Sequence, residues 1–471
     1  MARGREKAAV QTAPVEGPWE LPEGWRWATL NQIAEINPKR DFSGLSDDTE
    51  LTFVPMAAVA EESGAIDISQ RRQTGEIRKG YTRFQSGDVL FAKITPCMEN
   101  GKAAVVPDIP HGLGAGSTEF HVLKPGEVLP QYLFHWITQR WFRQEAEFNM
   151  TGTAGQKRVP TAWLTNATIP VPPLETQRRI VARIDELFSE LDDGETALAR
   201  AREDLEVYRK ALLKAAVTGE LTADWRAANP PKETGEQLLQ RILAERRARW
   251  EADPKNKGKR YKEPAAPDAS GLSELPEGWA WVRIQDIAEV VTGGTPPTSK
   301  KSYYDGEIPF FTPSDLDAGY GVSSTRRSIS ESGLQVVRPI PARSIMVTCI
   351  GATIGKTGFN FVAGATNQQI NSVVPLYSDI SEYIYLFFAG IGKRAVVDRA
   401  SSTTLPILNK SAFSAIPIPL PPLAEARKIA HMTLKRLAEV AALMEESSLS
   451  NKTSHLRQSI LAAAFEGELV Q

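Results

Sequence analysis

Gly351-Ala-Thr-Ile-Gly355-Lys356-Thr357 has the residue types of a phosphate-binding loop. Its count does not suit a nucleoside triphosphate. Three residues separate the glycines, and a loop that wraps its amides round the phosphates needs four. No acidic strand of the metal-holding kind follows. A simpler reading fits better. Gly101-Lys102 lies 254 residues before Gly355-Lys356, and a β-rich run precedes each pair, Val89-Leu-Phe-Ala-Lys93 and Ile345-Met-Val-Thr-Cys349. A Gly–Lys turn after a strand lets the backbone approach closely and adds one cation, which suits a single phosphate contact. The bland alternative is a hairpin turn with a solvated lysine.

Other chemistries fail at the residue each most needs. Asn229-Pro230-Pro231-Lys232 imitates the Asn-Pro-Pro-aromatic motif of adenine methyltransferases. That chemistry stacks an extruded base on the aromatic ring, and here Lys232 takes its place, so the stretch reads as a turn. Pro107-Asp108 with Glu119-Phe-His121 lacks the lysine of a nuclease pattern. His111, His121, His135, His431 and His455 show no ligand spacing with Cys or Asp, so no metal site is expected. No Ser/His/Asp arrangement can be placed. The expectation is a chain without catalysis of its own.

Binding chemistry is better represented. The first half clusters Arg71, Arg72, Arg78, Lys79, Arg83 and Lys93, with Asn100 and Lys102 close behind and Gln156, Lys157 and Arg158 further on. The second half carries Arg326, Arg327 and Lys356, the amides Asn367, Gln368 and Gln369, and Lys410 after Asn409. Arg on guanine and Asn or Gln on adenine are the favoured bidentate contacts to base edges, so these residues form the candidate DNA-binding set. Any one of them taken alone reads equally well as a solvated surface charge.

The elements that would position them are written twice. Residues 21–36 (LPEGWRWATLNQIAEI) and 275–290 (LPEGWAWVRIQDIAEV) share nine of sixteen positions. Val171-Pro-Pro-Leu174 returns as Leu420-Pro-Pro-Leu423, and Arg209-(x9)-Gly219-Glu-Leu221 as Arg457-(x9)-Gly467-Glu-Leu469. A period this long marks a duplicated domain, not a solenoid. Two copies of one surface suit a target with two related halves, and duplex DNA is such a target. The charge balance requires a local basic patch. Residues 21–165 hold 15 Lys/Arg against 17 Asp/Glu, residues 275–415 hold 12 against 11, and the chain carries a net −2.

The 471 residues allow two to four domains. Residues 1–20 read as a loose tail, 21–172 as a first mixed α/β module, and 173–274 as a helical region with a charged spacer. Residues 275–419 read as the second module and 420–471 as a C-terminal helical region. Within the first module the composition predicts one helix over 130–148, and within the spacer a helix over about 234–251. After Pro172-Pro173, Ile184, Leu187, Leu191, Leu198, Leu205 and Leu212 keep a three–four rhythm over about five heptads, the length of a coiled coil. Gly194 interrupts it as a possible kink. Leu434, Leu437 and Met444 repeat the rhythm, which shifts phase across Ser447–Ser454 and resumes at Leu456 and Ile460. Two matched seams predict mutual pairing. About 36 residues at 1.5 Å each give a rod of roughly 54 Å, enough to span the roughly 34 Å between adjacent half-sites. Two cysteines, no signal-like start and no apolar run of membrane length lead to the expectation of a cytoplasmic protein.

Leu-Pro-x-Gly-Trp-x-Trp openings, Pro-Pro-Leu closures and helices ending Gly-Glu-Leu, in that order twice, resemble the specificity subunits of type I restriction–modification systems. The likeness runs from about residue 20 to the C-terminus. It implies an α+β architecture: two tandem target recognition domains, each reading half of a split DNA site, joined by two long helices that pair as an antiparallel coiled coil with pseudo-twofold symmetry. It also implies docking of two methyltransferase (modification) subunits and of restriction/translocase subunits, with S-adenosylmethionine, ATP and Mg²⁺ held by those partners and none by this chain. One departure stands out. The family often has Glu-Gln soon after Pro-Pro-Leu, and here the copies read Glu175-Thr176-Gln177 and Ala424-Glu425-Ala426.

Overall fold

A computed structural model describes residues 15–153, 155–264, 271–401, 405–446 and 450–470. Most of the N-terminal tail, part of the spacer's linker and the start of the expected phase shift after Glu446 lie outside the described residues. The chain divides into two compact units, one of residues 1–198 with 449–471, the other of residues 199–448. These units cut across the linear regions: the helix Leu423–Glu446 belongs to the second unit and the helix Ser450–Glu466 to the first.

In the first unit Arg26–Thr29 pairs antiparallel with Thr168–Val171, Trp27 opposite Pro170. This ladder ties the module's opening to its closure. Proline has no N–H to give a ladder, so a two-stranded edge accommodates it. Next comes an antiparallel sheet in the order Ala34–Ile36, Phe120–Pro125, Val89–Ala92, Ala103–Val105. All four residues of Val89–Ala92 are buried, as an unbroken apolar run in a central strand requires. A second sheet has the order Arg71–Gln73, Glu50–Val54, Leu113–Gly116, Thr82–Gln85, with a parallel pair at its centre. The helix predicted over 130–148 is two helices, Pro130–Thr138 and Arg140–Phe148, because Gln139 is extended (ψ 151°). Tyr132 donates to Pro170 O at 2.8 Å and Trp136 Nε1 to Thr168 O at 2.9 Å, locking the first of them onto the closing strand.

The second unit repeats the scheme. Ala280–Arg283 pairs with Pro417–Leu420, Trp281 opposite Pro419, and Tyr383 donates to Pro419 O at 2.6 Å. Its central sheet runs Ala288–Thr292, Ile370–Pro375, Ile345–Thr348, Thr357–Asn360, Tyr320–Val322. The smaller sheet runs Ser328–Ile329, Ile308–Phe311, Gly364–Thr366, Pro339–Ile340. The spacer helix is Gly235–Ala252, capped by the Thr234 side chain, which accepts from Gln237 N.

The first long helix is a single element, Leu174–Thr218, and Gly194 does not end it. Its two ends are held differently. Within the first unit, Ile180 and Ile184 share a core with Leu461, Ala464 and Phe465. Further along, Asp192 pairs with Arg457, whose guanidinium sits 5.0 Å from the Phe188 ring. Rising numbers on one helix meet falling numbers on the other, so the pairing inside this unit is antiparallel. Leu456 is 50% exposed and lies outside that seam, while Ile460 packs on its edge. Within the second unit, Leu212 is buried and Leu213, Ala216 and Val217 share a core with Ala426, Ile429 and Ala430; Leu434 and Leu437 border it. Leu187, Leu191, Leu198, Leu205 and Met444 are half-buried.

The helices Leu174–Thr218 and Ser450–Glu466 each stop at a glycine in the left-handed region, Gly219 (φ 80°) and Gly467 (φ 84°), the usual way for a helix C-terminus to turn. A Cβ on Gly219 would lie 2.6 Å from Pro276 Cγ, and one on Gly467 would overlap the Pro22 ring. The Gly-Glu-Leu marker therefore packs on the Leu-Pro-Glu-Gly-Trp marker. The divided Glu-Gln pair also has a structural role. The Gln177 side chain accepts from Leu129 N at 2.9 Å and donates to Pro172 O at 3.0 Å. Glu425, 1% exposed, accepts from Thr222 Oγ1 (2.7 Å), Arg226 Nη1 (2.6 Å) and Trp279 Nε1 (2.9 Å).

Two glycine substitutions should have opposite signs. A Cβ on Gly194 meets open space, so Gly194→Ala stabilises by about 0.5–1 kcal/mol through helix propensity. Gly219→Ala destabilises by at least about 1–2 kcal/mol from its positive φ alone, with the Pro276 contact adding to it. Urea titrations of the two variants against the parent measure both signs.

Candidate nucleic-acid interface

The two modules can be aligned atom by atom through their backbone hydrogen bonds. Ala92 N donates to Lys102 O and Thr348 N to Lys356 O, both at 2.9 Å. The Gly–Lys pairs thus close equivalent antiparallel hairpins, with Gly101 at φ 73° and Gly355 at φ 81°. The 351–357 stretch is a hairpin turn between two strands. No helix follows it to point its amides at a triphosphate, so the geometry does not fit nucleotide binding. Lys356 Nζ is paired with Asp317 at 2.5 Å, whereas Lys102 stands half-buried beside Glu61, its backbone neighbour in an isolated bridge.

The arginine pairs also fall on equivalent edges. Phe53 N donates to Gln70 O and Phe310 N to Arg327 O, at 3.0 and 3.1 Å. Arg71–Gln73 is an outer strand exposed at all three positions, and Arg326 and Arg327 lead into the corresponding outer strand. A β-edge of this kind fits the major groove. Arg72 is preset there: its guanidinium lies 4.0 Å from the Phe53 ring centre and donates to Tyr81 Oη at 2.9 Å. Arg71 donates to the carbonyls of Ile68 and Gln70.

Other candidates are committed inward. Arg78 binds Asp47 (2.6 Å) and the carbonyls of Phe42 (2.8 Å) and Leu45 (2.6 Å). Arg83 donates to the carbonyls of Arg40 (2.7 Å) and Arg78 and covers the Phe42 ring. These two fasten the 40–47 loop beside the strand Thr82–Gln85, so their donors are already engaged by protein acceptors. Arg158 forks onto Glu119 at 2.8 and 2.9 Å, and that bonding holds the Glu119 carboxyl below its ordinary range. Lys93 is half-buried, facing Glu119 and His121. Burial pushes the His121 imidazole down, and its Nε2 sits 2.9 Å from Val159 O.

Among the amides, Asn100 donates to Glu61 Oε1 at 2.9 Å. Asn367 donates to Gln369 Oε1 at 2.9 Å, Gln368 accepts from Thr295 Oγ1, and Gln369 Nε2 reaches Ile350 O at only 3.4 Å. Lys79, Gln156, Lys157 and Lys410 are exposed. Lys410 begins the helix Lys410–Ser414, whose N-cap Asn409 accepts from Ala412 N. The sequence did not mark Lys393, Leu405 and Ile407. Leu405 and Lys393 lie against the Gly351 and Gly355 turns, and Ile407 bridges to Ile350, contacts that only the fold brings together.

A profile of the type I restriction modification DNA specificity domain matches twice, over residues 22–199 and 276–449. The type I restriction enzyme EcoAI specificity subunit of Escherichia coli is 34% identical over 335 residues, 61% of this chain and 55% of that protein. The EcoEI specificity subunit of Escherichia coli is 32% identical, over 62% of this chain and 55% of that protein. The matched region thus spans about half the length of these two relatives. The HindI specificity subunit of Haemophilus influenzae is 26% identical, over 82% and 87%. The crystal structure of the HsdS subunit from Thermoanaerobacter tengcongensis has the same fold, with a TM-score of 0.65 over 96% of this chain and 99% of that one at 22% identity. A chain from structural work on complex assembly and conformational transition of the type I restriction–modification system gives a TM-score of 0.66 at 25% identity, over 96% and 100%.

Engaged and exposed cations should separate by experiment. Arg78→Ala lowers stability by about 1–3 kcal/mol by stranding its acceptors. Lys157→Ala leaves stability within about 0.5 kcal/mol and reduces the salt slope of duplex binding by about one. Chemical denaturation and filter binding across a salt series test the two expectations.

Proposed function

This chain belongs to the type I restriction–modification DNA specificity family, and from that membership we propose that it reads a bipartite duplex target while its partner subunits perform the chemistry. The supporting observation is the duplicated frame: a Gly–Lys hairpin and an outer strand recur in each module, with an arginine pair on that strand in the first and just before it in the second. A frame used twice on a split site needs no strongly basic chain, since phosphate contacts fix register and base-edge contacts select sequence. Arg71, Arg72, Lys79, Lys157, Arg326, Arg327 and Lys410 are the exposed basic candidates for phosphate and guanine contacts.

In this reading the chain catalyses nothing itself. It docks two methyltransferase subunits, and restriction/translocase subunits complete the assembly. S-adenosylmethionine, ATP and Mg²⁺ are bound by those partners. The assembly works in the cytoplasm, and among the described residues no helix is long and apolar enough to cross a membrane. The long helices set the gap between half-sites.

Deleting one heptad from the 180–215 stretch should shift the spacer length tolerated in the DNA target. Methylation mapping with the assembled complex reads this directly. A variant that remains folded and active with an unaltered spacer rules out the helix as a ruler.

A further inference from the structure

One corner of the shared frame differs between the modules in chemistry though not in backbone. In the first module Lys93 N donates to Glu119 O (2.9 Å), Val159 N to Lys93 O (2.8 Å) and Thr151 N to Arg158 O (3.0 Å). In the second, Cys349 N donates to Gln369 O (2.7 Å), Leu408 N to Cys349 O (2.8 Å) and Ser401 N to Ile407 O (3.0 Å). Lys93 therefore corresponds to Cys349, Glu119 to Gln369, and Arg158 to Ile407. The first corner is ionic, with Arg158 forked on Glu119. All three positions of the second are neutral, and Cys349 is only 2% exposed.

The neutral corner still faces outward. Ile407 is 42% exposed and Leu405 is 52% exposed. Leu405 Cδ1 stands 3.9 Å, and Gln369 Nε2 3.5 Å, from where a Cβ on Gly351 would be, so the two flank one turn. Lys393 Cγ lies 2.9 Å from the equivalent point on Gly355, and Lys393 and Lys410 are exposed around the corner. An apolar centre with a cationic rim matches the edge of a base pair flanked by phosphates. Thymine is the base that offers a methyl group in the major groove, and adenine is the base whose edge a Gln amide fits.

We propose that Gln369 and Ile407 form the base-edge reader of the second module and select an A·T pair, Ile407 against the thymine methyl and Gln369 on the adenine. This rests on the DNA-reading role proposed above. The Gln369 amide donor is held only by the 3.4 Å contact to Ile350 O, while its Oε1 accepts from Asn367 at 2.9 Å, so reading adenine exchanges the Asn367 contact for the base edge. The first module, with charge at the same place, reads a different pair.

The test uses the chain assembled with its methyltransferase partners and a library of randomised duplexes. The parent complex should retain a bipartite motif with an obligatory T·A or A·T pair in one half. Deoxyuridine at that thymine removes only the methyl group and should weaken retention about fourfold, the worth of one buried methyl-sized group. The double variant Gln369→Glu, Ile407→Arg installs the first module's pair. It should change the selected base in that half and leave the other half unaltered. An unchanged motif in the double variant overturns the assignment, as does full tolerance of deoxyuridine at every thymine of that half. The deoxyuridine scan decides the matter even if the double variant fails to fold. A parent complex that retains no motif refutes the DNA-reading role itself, an outcome distinct from failure of the Gln369–Ile407 assignment.

Discussion

The helices Leu174–Thr218 and Ser450–Glu466 each end on a glycine pressed against the proline that opens a module, and the rest of the architecture depends on those two contacts. Gly219 meets Pro276 and Gly467 meets Pro22. Both need a residue that has no Cβ and tolerates a positive φ. The geometry makes the helix after the first module close onto the start of the second, while the C-terminal helix closes onto the start of the first. In the second unit Glu425 fastens the contact from behind by accepting from Thr222, Arg226 and Trp279. Removing one partner from a buried charged network leaves the others unpaired, so this carboxylate is a structural anchor.

On that frame, the two modules share a base and differ at a corner. The ladders at each base, with Trp27 on Pro170 and Trp281 on Pro419, are the same. The tyrosines that bond the proline carbonyls, Tyr132 and Tyr383, are the same too. One difference in chemistry lies beside the Gly–Lys hairpins. There the ionic Glu119–Arg158 pair of one module has Gln369 and Ile407 as its counterparts in the other. Recognition of a bipartite target, as proposed, would use this division, because backbone register is reusable while base-edge chemistry is not.

Charge at that surface is more local than composition suggests. Arg78 and Arg83 look like phosphate ligands in the sequence but act as internal clamps on carbonyls. Arg72 lies between these cases, stacked on Phe53 yet exposed on an outer strand. A guanidinium has five donors and no acceptor, so it serves a carbonyl cluster as readily as a phosphate, and residue type alone does not say which.

The sequence by itself determined the duplication, the family, the two α/β modules and the long amphipathic helices, because these are written in spacing: heptads, paired prolines and recurring tryptophans survive as pattern. It also showed that Gly351–Thr357 lacks the count of a triphosphate loop. It did not show the break at Gln139, since the apolar residues of 130–148 look like one helix and only an extended ψ parts them. Nor did it show that Gly194 leaves its helix uninterrupted, that Leu456 faces solvent, or that the Gly-Glu-Leu marker rests on Leu-Pro-Glu-Gly-Trp. Those outcomes depend on which residues distant in the chain meet, and so do the partners of Arg78, Arg83 and Glu425. Local spacing records the period of an element. Only the tertiary fold decides which face is covered and which charge is already satisfied.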